Sequence, residues 1–349
     1  MKLSDLFPHP VVQGPMAGGA NTPAMVAAVS NAGGLGSIGA SLLAPAVIRD
    51  HVAQIRALTG KPFAINLFVQ QTPQPAAEEI AQALALLQPV ATELGLPALS
   101  APEKWCENFA DQFALLLELK PAVASFTFNI LSSEQVAALH AAGIAVVGTV
   151  TTLAEALAWQ AVGADAVVAS GIESGGHRGT FLGSQEAAKQ SVWELGPEVC
   201  AALAIPVILA GGIMHGADIA RALALGAQAV QMGTAFLVTD ESGIHPAYKQ
   251  RLIAAARDGT PTRLTRSFSG RYARGLENRF MQMMAGVESQ VPAYPVQNAL
   301  TGAIRAQAGK LGNTEFMSLW AGTRVAQARA MPVAELMAML LQEWQQSVF

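Results

Sequence analysis

The fold class is most clearly indicated by residues 143–171, GIAVVGTVTTLAEALAWQAVGADAVVASG. This short segment contains the patterns of a strand, a helix and a second strand. Apolar runs at 144–148 and 165–169 enclose an alanine-rich stretch at 152–162 that has helical composition. Strands that alternate with helices in this way indicate βαβ units and a parallel sheet. The segment therefore predicts an α/β protein.

The same plan recurs in IPVILAGGIMHGADIARALALGAQAVQMGTAF, residues 205–236, and in a looser form toward the N-terminus. Eight strands separated by helices predict a (β/α)8 TIM barrel, with a doubly wound sheet as the alternative. The predicted strands lie near 11–13, 35–39, 63–67, 122–127, 144–148, 165–169, 207–210 and 228–231. The predicted helices lie at about 23–32, 45–58, 75–92, 133–141, 152–162, 188–203 and 216–225.

The pattern changes after Ala235, where the strand series ends. Residues 240–348 read as mostly helical without further strands, and 94–120 read as an inserted helical excursion. We therefore predict a barrel and a second, mostly helical domain packed over its mouth. The predicted bounds are 1–93 and 121–238 for the barrel, and 94–120 and 239–349 for the helical domain.

Composition excludes several classes of function. The 21 basic and 25 acidic residues are scattered, which argues against a nucleic-acid partner. The uncharged span 11–48 is interrupted by glycines and prolines and cannot be one membrane helix. Cys106 and Cys200 form no disulfide framework, and the N-terminus lacks a signal core, so we expect a cytoplasmic protein. No metal site is predicted, because no ligand set has suitable spacing.

GLGSIG at 34–39 matches the pattern G-x-G-x-x-G of dinucleotide-binding folds. That pattern requires a strand before it and a helix after it, and here the order is reversed. The glycines are better explained as the end of a helix and the start of the second strand.

Glycine turns follow three neighbouring predicted strands. Gly175-Gly176, Gly211-Gly212 and Gly233-Thr234 all fall at the carboxyl ends of strands, where barrels place their active sites. Glycines let backbone N–H groups converge on phosphate oxygens, and ordinary tight turns are the alternative for any single pair. Without a Walker lysine, the phosphate is expected to belong to a bound cofactor.

Polar groups at other strand ends suit a flat heteroaromatic ring. QGPMAGGAN follows the first strand, Asn66 ends the third, and Ser170 follows the sixth. Amide donors opposite a phosphate anchor make flavin mononucleotide (FMN) the leading cofactor prediction. A turn cap is the simpler role for any one asparagine.

His177 lies between Gly175-Gly176 and Gly179, where the cofactor ring is expected. Its neutral form could accept a proton or hydrogen-bond an anionic substrate, so we predict a catalytic role. The other five histidines have no comparable surroundings and are expected at the surface or at helix ends.

Several motifs together resemble the nitronate monooxygenases, formerly called 2-nitropropane dioxygenases. They are GPMAGGANTPAMVAAVSNAGGLG, INLFV, GIESGGHRGTF, PVILAGGI, ALGAQAVQMGTAFLVTDES and LWAGT. The resemblance runs from about residue 8 to about residue 325. It implies a (β/α)8 barrel with a helical second domain, noncovalent FMN and a histidine of the GGH motif near the flavin.

Carried over by position, Met16, Ala17 and Asn66 would face the flavin, and His177 would be the active-site histidine. This chain has Ser170 where relatives often have glutamine. It has Asn298 near the position at which the well-studied bacterial branch of the family has a lysine. Tyr294 is a candidate on the substrate side. The complete predicted cofactor-binding set is Met16, Ala17, Asn66, Ser170, Gly171, Gly175, Gly176, Gly211, Gly212, Gln231, Met232, Gly233 and Thr234.

The resemblance implies oxidation of alkyl nitronates, such as propionate 3-nitronate, by O2 to a carbonyl compound and nitrite, in a monomer or homodimer. The alternative is an NAD(P)H-dependent reductase of quinones or enoyl thioesters, because such relatives share the GGH motif. A third possibility is a non-enzymatic FMN-binding sensor. The continuation HRGTF favours the monooxygenase.

Overall fold

The computed structural model describes residues 6–347, and its centre is a sheet of eight parallel strands in the order β1-β9-β8-β6-β5-β4-β3-β2. A parallel bridge between Val12 and Leu35 joins the two outer strands and brings the edges of the sheet together. The strands are β1 (Val11–Gln13), β2 (Gly36–Gly39), β3 (Phe63–Phe68), β4 (Val123–Thr127), β5 (Ala145–Val150), β6 (Ala166–Ser170), β8 (Val207–Ala210) and β9 (Ala229–Met232).

Helices surround these strands, which confirms the (β/α)8 barrel and excludes the doubly wound sheet. The predicted helix at 152–162 is observed one residue shorter at each end, with the Thr152 side chain capping its first turn. The helices are α1 (Pro23–Asn31), α2 (Pro45–Leu58), α3 (Ala77–Glu93), α4 (Phe109–Leu119), α5 (Ser133–Ala141), α6 (Leu153–Ala161), α7 (Val192–Ala202) and α8 (Gly216–Ala224).

The barrel interior is filled by small and branched side chains. Ala64, Val147, Ala166, Val168 and Ile208 belong to this inner cluster and are all nearly inaccessible to solvent. Their small volumes let the strands close around a packed centre, as barrel geometry requires. The carboxyl ends of the strands are thereby held at fixed positions.

The second part of the chain contains strands that the sequence did not indicate. Here β10 (Thr262–Thr265) pairs with β11 (Ala273–Leu276), which in turn pairs with the two-residue strand β7 (Gly176–His177). The prediction of a mostly helical segment with no further strand series after residue 240 therefore missed the short strands β10 and β11. The segments TRLT and ARGL form a small sheet over the barrel mouth. Their sequences lack the apolar runs, or the alternation of apolar and polar residues, by which strands are predicted.

The rest of this part is helical. A separate apolar core includes Phe268, Phe280 and Phe316, with Phe268 and Phe280 stacked at 4.0 Å between ring centroids. The helices are α9 (Thr234–Leu237), α10 (Pro246–Asp258), α11 (Arg279–Met284), α12 (Val296–Leu300), α13 (Gly302–Leu311) and α14 (Val333–Ser347). Short 3₁₀ turns lie at Glu288–Gln290, Thr314–Phe316 and Val325–Gln327.

The packing of three helices differs from the predicted division of the chain into two domains. Helix α14 contacts α1 and α8 of the barrel, and α4 contacts α2 and β3. Helix α3 instead contributes Leu87 and Val90 to the second core. We propose that α4 and α14 belong with the barrel and α3 with the second domain, which changes the predicted bounds accordingly. In residues 6–347, no helix has the length and apolar character needed to span a membrane.

Candidate active site

A cavity of about 400 Å³ lies at the carboxyl ends of the barrel strands, between the barrel and the second domain. This volume falls within the range of small-molecule and cofactor sites. The predicted residues that line it are Met16, Ala17, Asn66, Ser170, Gly175, Gly176, His177, Gly211, Gly212, Gln231, Met232, Gly233, Thr234, Tyr294 and Asn298. Of the predicted set, only Gly171 is not at its surface.

Gly171 lies behind the cavity wall, where a side chain would collide with the backbone of Val192. Its N–H donates to Ala210 O at 2.9 Å, and its carbonyl accepts from the buried Arg178 guanidinium. The neighbouring Ser170 hydroxyl hydrogen-bonds Ser174 Oγ at 2.9 Å. Gly171 thus shapes the turn from behind, while Ser170 and Ser174 reach the cavity.

The glycine turns form one end of the cavity. Gly176, Gly211 and Gly212 all have positive φ, of 70°, 121° and 66°, a conformation that side-chain-bearing residues rarely adopt. A Cβ atom placed on Gly176 would meet no atom within 4 Å and would point into open space. This space, bordered by backbone at three strand ends, fits a phosphate-bearing group.

The second domain closes this end. The Gly322 N–H donates to Thr234 Oγ1 at 2.9 Å, and a Cβ on Gly175 would collide with Ala321 and Gly322. Arg324 donates to the Gly212 carbonyl at 2.8 Å and pairs with Asp218 at 2.7 Å. The segment around LWAGT therefore contacts all three glycine turns.

Polar side chains of three adjacent strands make the floor. Asn66 Nδ2 donates to Ser125 Oγ at 3.0 Å and to Thr127 Oγ1 at 3.2 Å, and Thr127 in turn hydrogen-bonds Thr149 at 3.2 Å. Asn66, Thr127 and Thr149 all line the cavity. Because both contacts of Asn66 use its amide nitrogen, its carbonyl oxygen is available as an acceptor toward the cavity.

His177 directly follows Gly176, on the strand β7 that pairs with β11 of the second domain. We call the part of the cavity around its ring, which Phe128, Tyr294 and Trp320 also line, the histidine end. Its Nε2 lies 2.8 Å from Ser269 Oγ, and the Ser269 hydroxyl donates to the Arg271 carbonyl at 3.0 Å. A hydroxyl has one proton, so we assign the ring proton to Nε2, which donates to Ser269. Nδ1 is then the unprotonated nitrogen of the neutral ring.

Aromatic rings enclose His177. The ring centroids of Phe128, Tyr294 and Trp320 lie 5.5, 5.6 and 5.5 Å from that of His177, and Phe68 lies at 6.4 Å. Edge-on contacts of this kind are favourable and hold rings in fixed orientations. The imidazole is thus positioned by packing as well as by Ser269.

Two arginines act on the same histidine. Removal from water, followed by the charges of Arg271 and Arg305, lowers the pKa of His177 from 6.5 to about 3. In the described part of the chain, neither arginine has a carboxylate within 4 Å. Burial lowers the pKa of both guanidinium groups, that of Arg271 to about 10, so Arg271 remains charged near neutral pH. This end of the cavity therefore favours a neutral histidine and an anionic ligand.

Tyr294 and Asn298 lie on this side of the cavity. Burial raises the pKa of Tyr294, so its phenol stays protonated, and its hydroxyl is buried with no partner among the described residues. The Asn298 carbonyl oxygens accept from Arg305, at 2.6 Å for the backbone and 3.3 Å for the side chain. An unsatisfied buried hydroxyl calls for an explanation, and a bound ligand supplies one.

The sequence interpretation missed most of the His177 surroundings. Arg271, Arg305, Ser269 and Phe128 are far from the GGH motif along the chain and carry no motif of their own, and Trp320 belongs to the LWAGT motif without having been assigned to the site. Phe128 has a backbone φ of +81°, which is unusual for a bulky residue and marks it as a special position in the structure. No sequence feature reveals this conformation. Their roles depend on the second domain folding over the barrel.

The fold and the site together define a parallel (β/α)8 barrel protein whose cavity combines glycine turns with a neutral histidine. A family model described as nitronate monooxygenase matches residues 1–343. The chain is 41% identical over 343 residues to a nitronate monooxygenase of Paraburkholderia phytofirmans, covering 97% of this chain and 93% of the relative. It is 38% identical over 339 residues to a probable nitronate monooxygenase of Staphylococcus haemolyticus, covering 96% and 94%.

Among solved structures, nitroalkane oxidase from Streptomyces ansochromogenes superposes with a TM-score of 0.91 at 40% identity, covering 99% of this chain and 98% of the other. The chain belongs to the nitronate monooxygenase family. It is thus an oxidoreductase, and flavin dependence is typical of this family.

Proposed function

We propose that this protein is an FMN-dependent enzyme that oxidises alkyl nitronates, such as propionate 3-nitronate, with O2. In a balanced form of the reaction, two nitronate anions and one O2 give two carbonyl compounds and two nitrite ions. The observation that carries the proposal is the combination, in one cavity, of a neutral His177 with Arg305, an arginine without a carboxylate within 4 Å among the described residues. A nitronate is an anion and fits this environment.

The glycine end supports FMN as the flavin. Its turns leave open space beside Gly176 and bring Gly212 and Thr234 to the same end, which suits one terminal phosphate. When bound, FMN accepts electrons and reacts with O2, which protein side chains cannot do. The predicted holders of its phosphate are Gly175, Gly176 and Gly212, with Gly233 and Thr234.

His177 and its neighbours would orient the substrate. Tyr294 can donate its unpartnered hydroxyl to a nitro oxygen, and Arg305 can balance the negative charge. For a neutral nitroalkane, the unprotonated Nδ1 of His177 would hold the α-proton after its removal from carbon. A preformed nitronate needs no such step, and His177 then serves to position it.

Two finer predictions accompany this function. Cys106 and Cys200 are free thiols, which is compatible with a reducing cytoplasm, and the cytoplasmic location remains a prediction. The assembly state also remains predicted as a monomer or a homodimer.

Anaerobic mixing of the yellow protein with a nitronate and, separately, with NADH tests the reaction class. We expect the flavin to be bleached by nitronate and not by NADH, and oxygen uptake with nitronate to need no nicotinamide. Rapid bleaching by NADH, with steady turnover of a quinone and none of nitronate, would assign the protein to the reductase alternative.

A further inference from the structure

A second cavity, of about 440 Å³, adjoins the active-site cavity on the side of His177. We define it as the outer cavity; its walls include Thr180, Glu186, Arg266 and Arg271. It lies between the loop that follows the GGH motif and the segment that connects β10 with β11. No step of the proposed reaction uses it.

Two aromatic residues separate the outer cavity from the active site. Phe128 and Tyr294 line both cavities, with their rings edge-on and their centroids 5.0 Å apart. Both also contact His177 through edge-on ring pairs. Any small molecule in the outer cavity is therefore one layer of side chains away from the histidine.

The outer cavity is positively charged. Arg271 and Arg266 line it, and in residues 6–347 neither has a carboxylate within ion-pair distance. The Arg271 guanidinium lies 4.3 Å from the centroid of the Phe128 ring, directly beside the wall. Glu186, which is exposed, is the acidic residue among those lining this cavity. Two cations and one anion leave a net positive charge.

We propose that the outer cavity is an anion-binding vestibule, in which Arg266 and Arg271 collect the nitronate before it passes the Phe128–Tyr294 wall to His177. The inference rests on the proposed function, because it takes the nitronate as substrate. The whole chain carries a formal charge of −4, so the protein as a whole does not attract anions. A local positive opening overcomes this by focusing the field and raising the rate of productive encounter.

The test compares three variants of the flavin-loaded enzyme. Arg266→Gln removes a vestibule cation whose side chain has one weak contact, with the Gly270 carbonyl at 3.3 Å. Glu186→Gln removes the vestibule anion. Arg263→Gln is the matched control, because Arg263 is a partly exposed arginine of the adjoining strand β10, is paired with Glu277 and lines neither cavity. Each is assayed for kcat/KM with a nitronate and with the corresponding neutral nitroalkane at low and high salt.

We expect Arg266→Gln to lower kcat/KM for nitronate about three- to tenfold at low salt and to flatten its salt dependence. Glu186→Gln should raise the same value, while kcat in both variants and all values for the neutral nitroalkane stay within about twofold. Arg263→Gln should behave as the wild type.

Opposite signs for the two vestibule variants cannot arise from damaged folding. Wild-type turnover of nitronate with no change in either variant would overturn the vestibule alone. Equal losses on the charged and the neutral substrate would also overturn it. A wild-type protein that does not oxidise nitronate would overturn the proposed function itself, and the vestibule for nitronate with it.

Discussion

The two ends of the active-site cavity are built in different ways. At the glycine end, Gly211-Gly212 directly follows the barrel strand β8, and Gly175-Gly176 lies five residues after the end of β6. At the histidine end, His177 is surrounded by Ser269, Tyr294 and Trp320, which come from separate segments of the second domain. One end is local in sequence, and the other is assembled by tertiary packing.

This difference shows which properties belong to the barrel and which to the second domain. The glycine end supplies backbone and open space, and it suits a group with fixed chemistry such as a phosphate. The histidine end supplies charge, a set tautomer and aromatic walls, and it determines the reaction and the substrate. Cofactor retention and chemistry should therefore be separable by mutation.

The largest expected effect is at the glycine end. Gly176→Leu places a side chain in the space proposed for the cofactor phosphate, since a Cβ there meets no protein atom within 4 Å. We expect folded but colourless protein with activity below detection. Absorption at the flavin bands and the flavin content of a heat-released supernatant measure the loss, and that supernatant from the wild type should contain FMN.

A matched control separates loss of space from backbone strain. Gly143 has a φ of 79°, close to the 70° of Gly176, and a Cβ there also meets nothing within 4 Å, but it lies in the turn between α5 and β5 outside the cavity. Gly143→Leu pays a similar conformational cost, of about 1–2 kcal/mol. It should keep its flavin. Full flavin retention by Gly176→Leu would contradict the phosphate cradle.

Much of the barrel could be predicted because its signals are local. The apolar runs at 144–148 and 165–169 enclose one amphipathic helix, and the structure places strands and a helix there. The glycine turns were visible for the same reason. Strands β10 and β11 could not be predicted, because TRLT and ARGL are short, contain arginines and gain their pairing from β7 across the domain contact.

The place of His177 in the site was predictable from its glycine-flanked motif, but its lowered pKa was not. The pKa of His177 depends first on burial and then on Arg271 and Arg305, which lie about 90 and 130 positions further along the chain. No sequence period or motif marks these arginines as neighbours. Only the folded second domain brings them to the ring, where neither has a carboxylate partner among residues 6–347.

His177→Asn should give the next largest effect, and on one substrate class only. General-base help contributes about 10²–10⁴-fold, so we expect a loss of that size on a neutral nitroalkane if Nδ1 removes the α-proton. On a preformed nitronate the loss should be far smaller, because asparagine can still donate a hydrogen bond. Steady-state kcat/KM on both substrates, with flavin content checked, measures the difference.

Ser269→Ala serves as the companion of that variant. It removes the acceptor that fixes the His177 proton on Nε2, so it should affect the same substrate in the same direction but by a smaller factor. Equal large losses of His177→Asn on nitroalkane and nitronate would instead assign the histidine to substrate binding. Unchanged rates on both would exclude it from the reaction.

The smallest expected effect concerns pH and tests whether Arg305 influences the protonation of His177 within the histidine end. With a pKa of about 3, His177 stays neutral above pH 5 and should cause no loss of nitroalkane oxidation there. Arg305→Met removes a positive charge that disfavours the imidazolium, so the pKa of His177 should rise. The rise should be small, because burial and Arg271 have the larger effects and remain. The acid limb of kcat/KM for a neutral nitroalkane should therefore move to higher pH in Arg305→Met and stay in place in Arg305→Lys, which keeps the charge. Identical profiles for the two variants would show that Arg305 does not control the histidine, whereas loss of flavin from Arg305→Met would show that the histidine end also holds the cofactor.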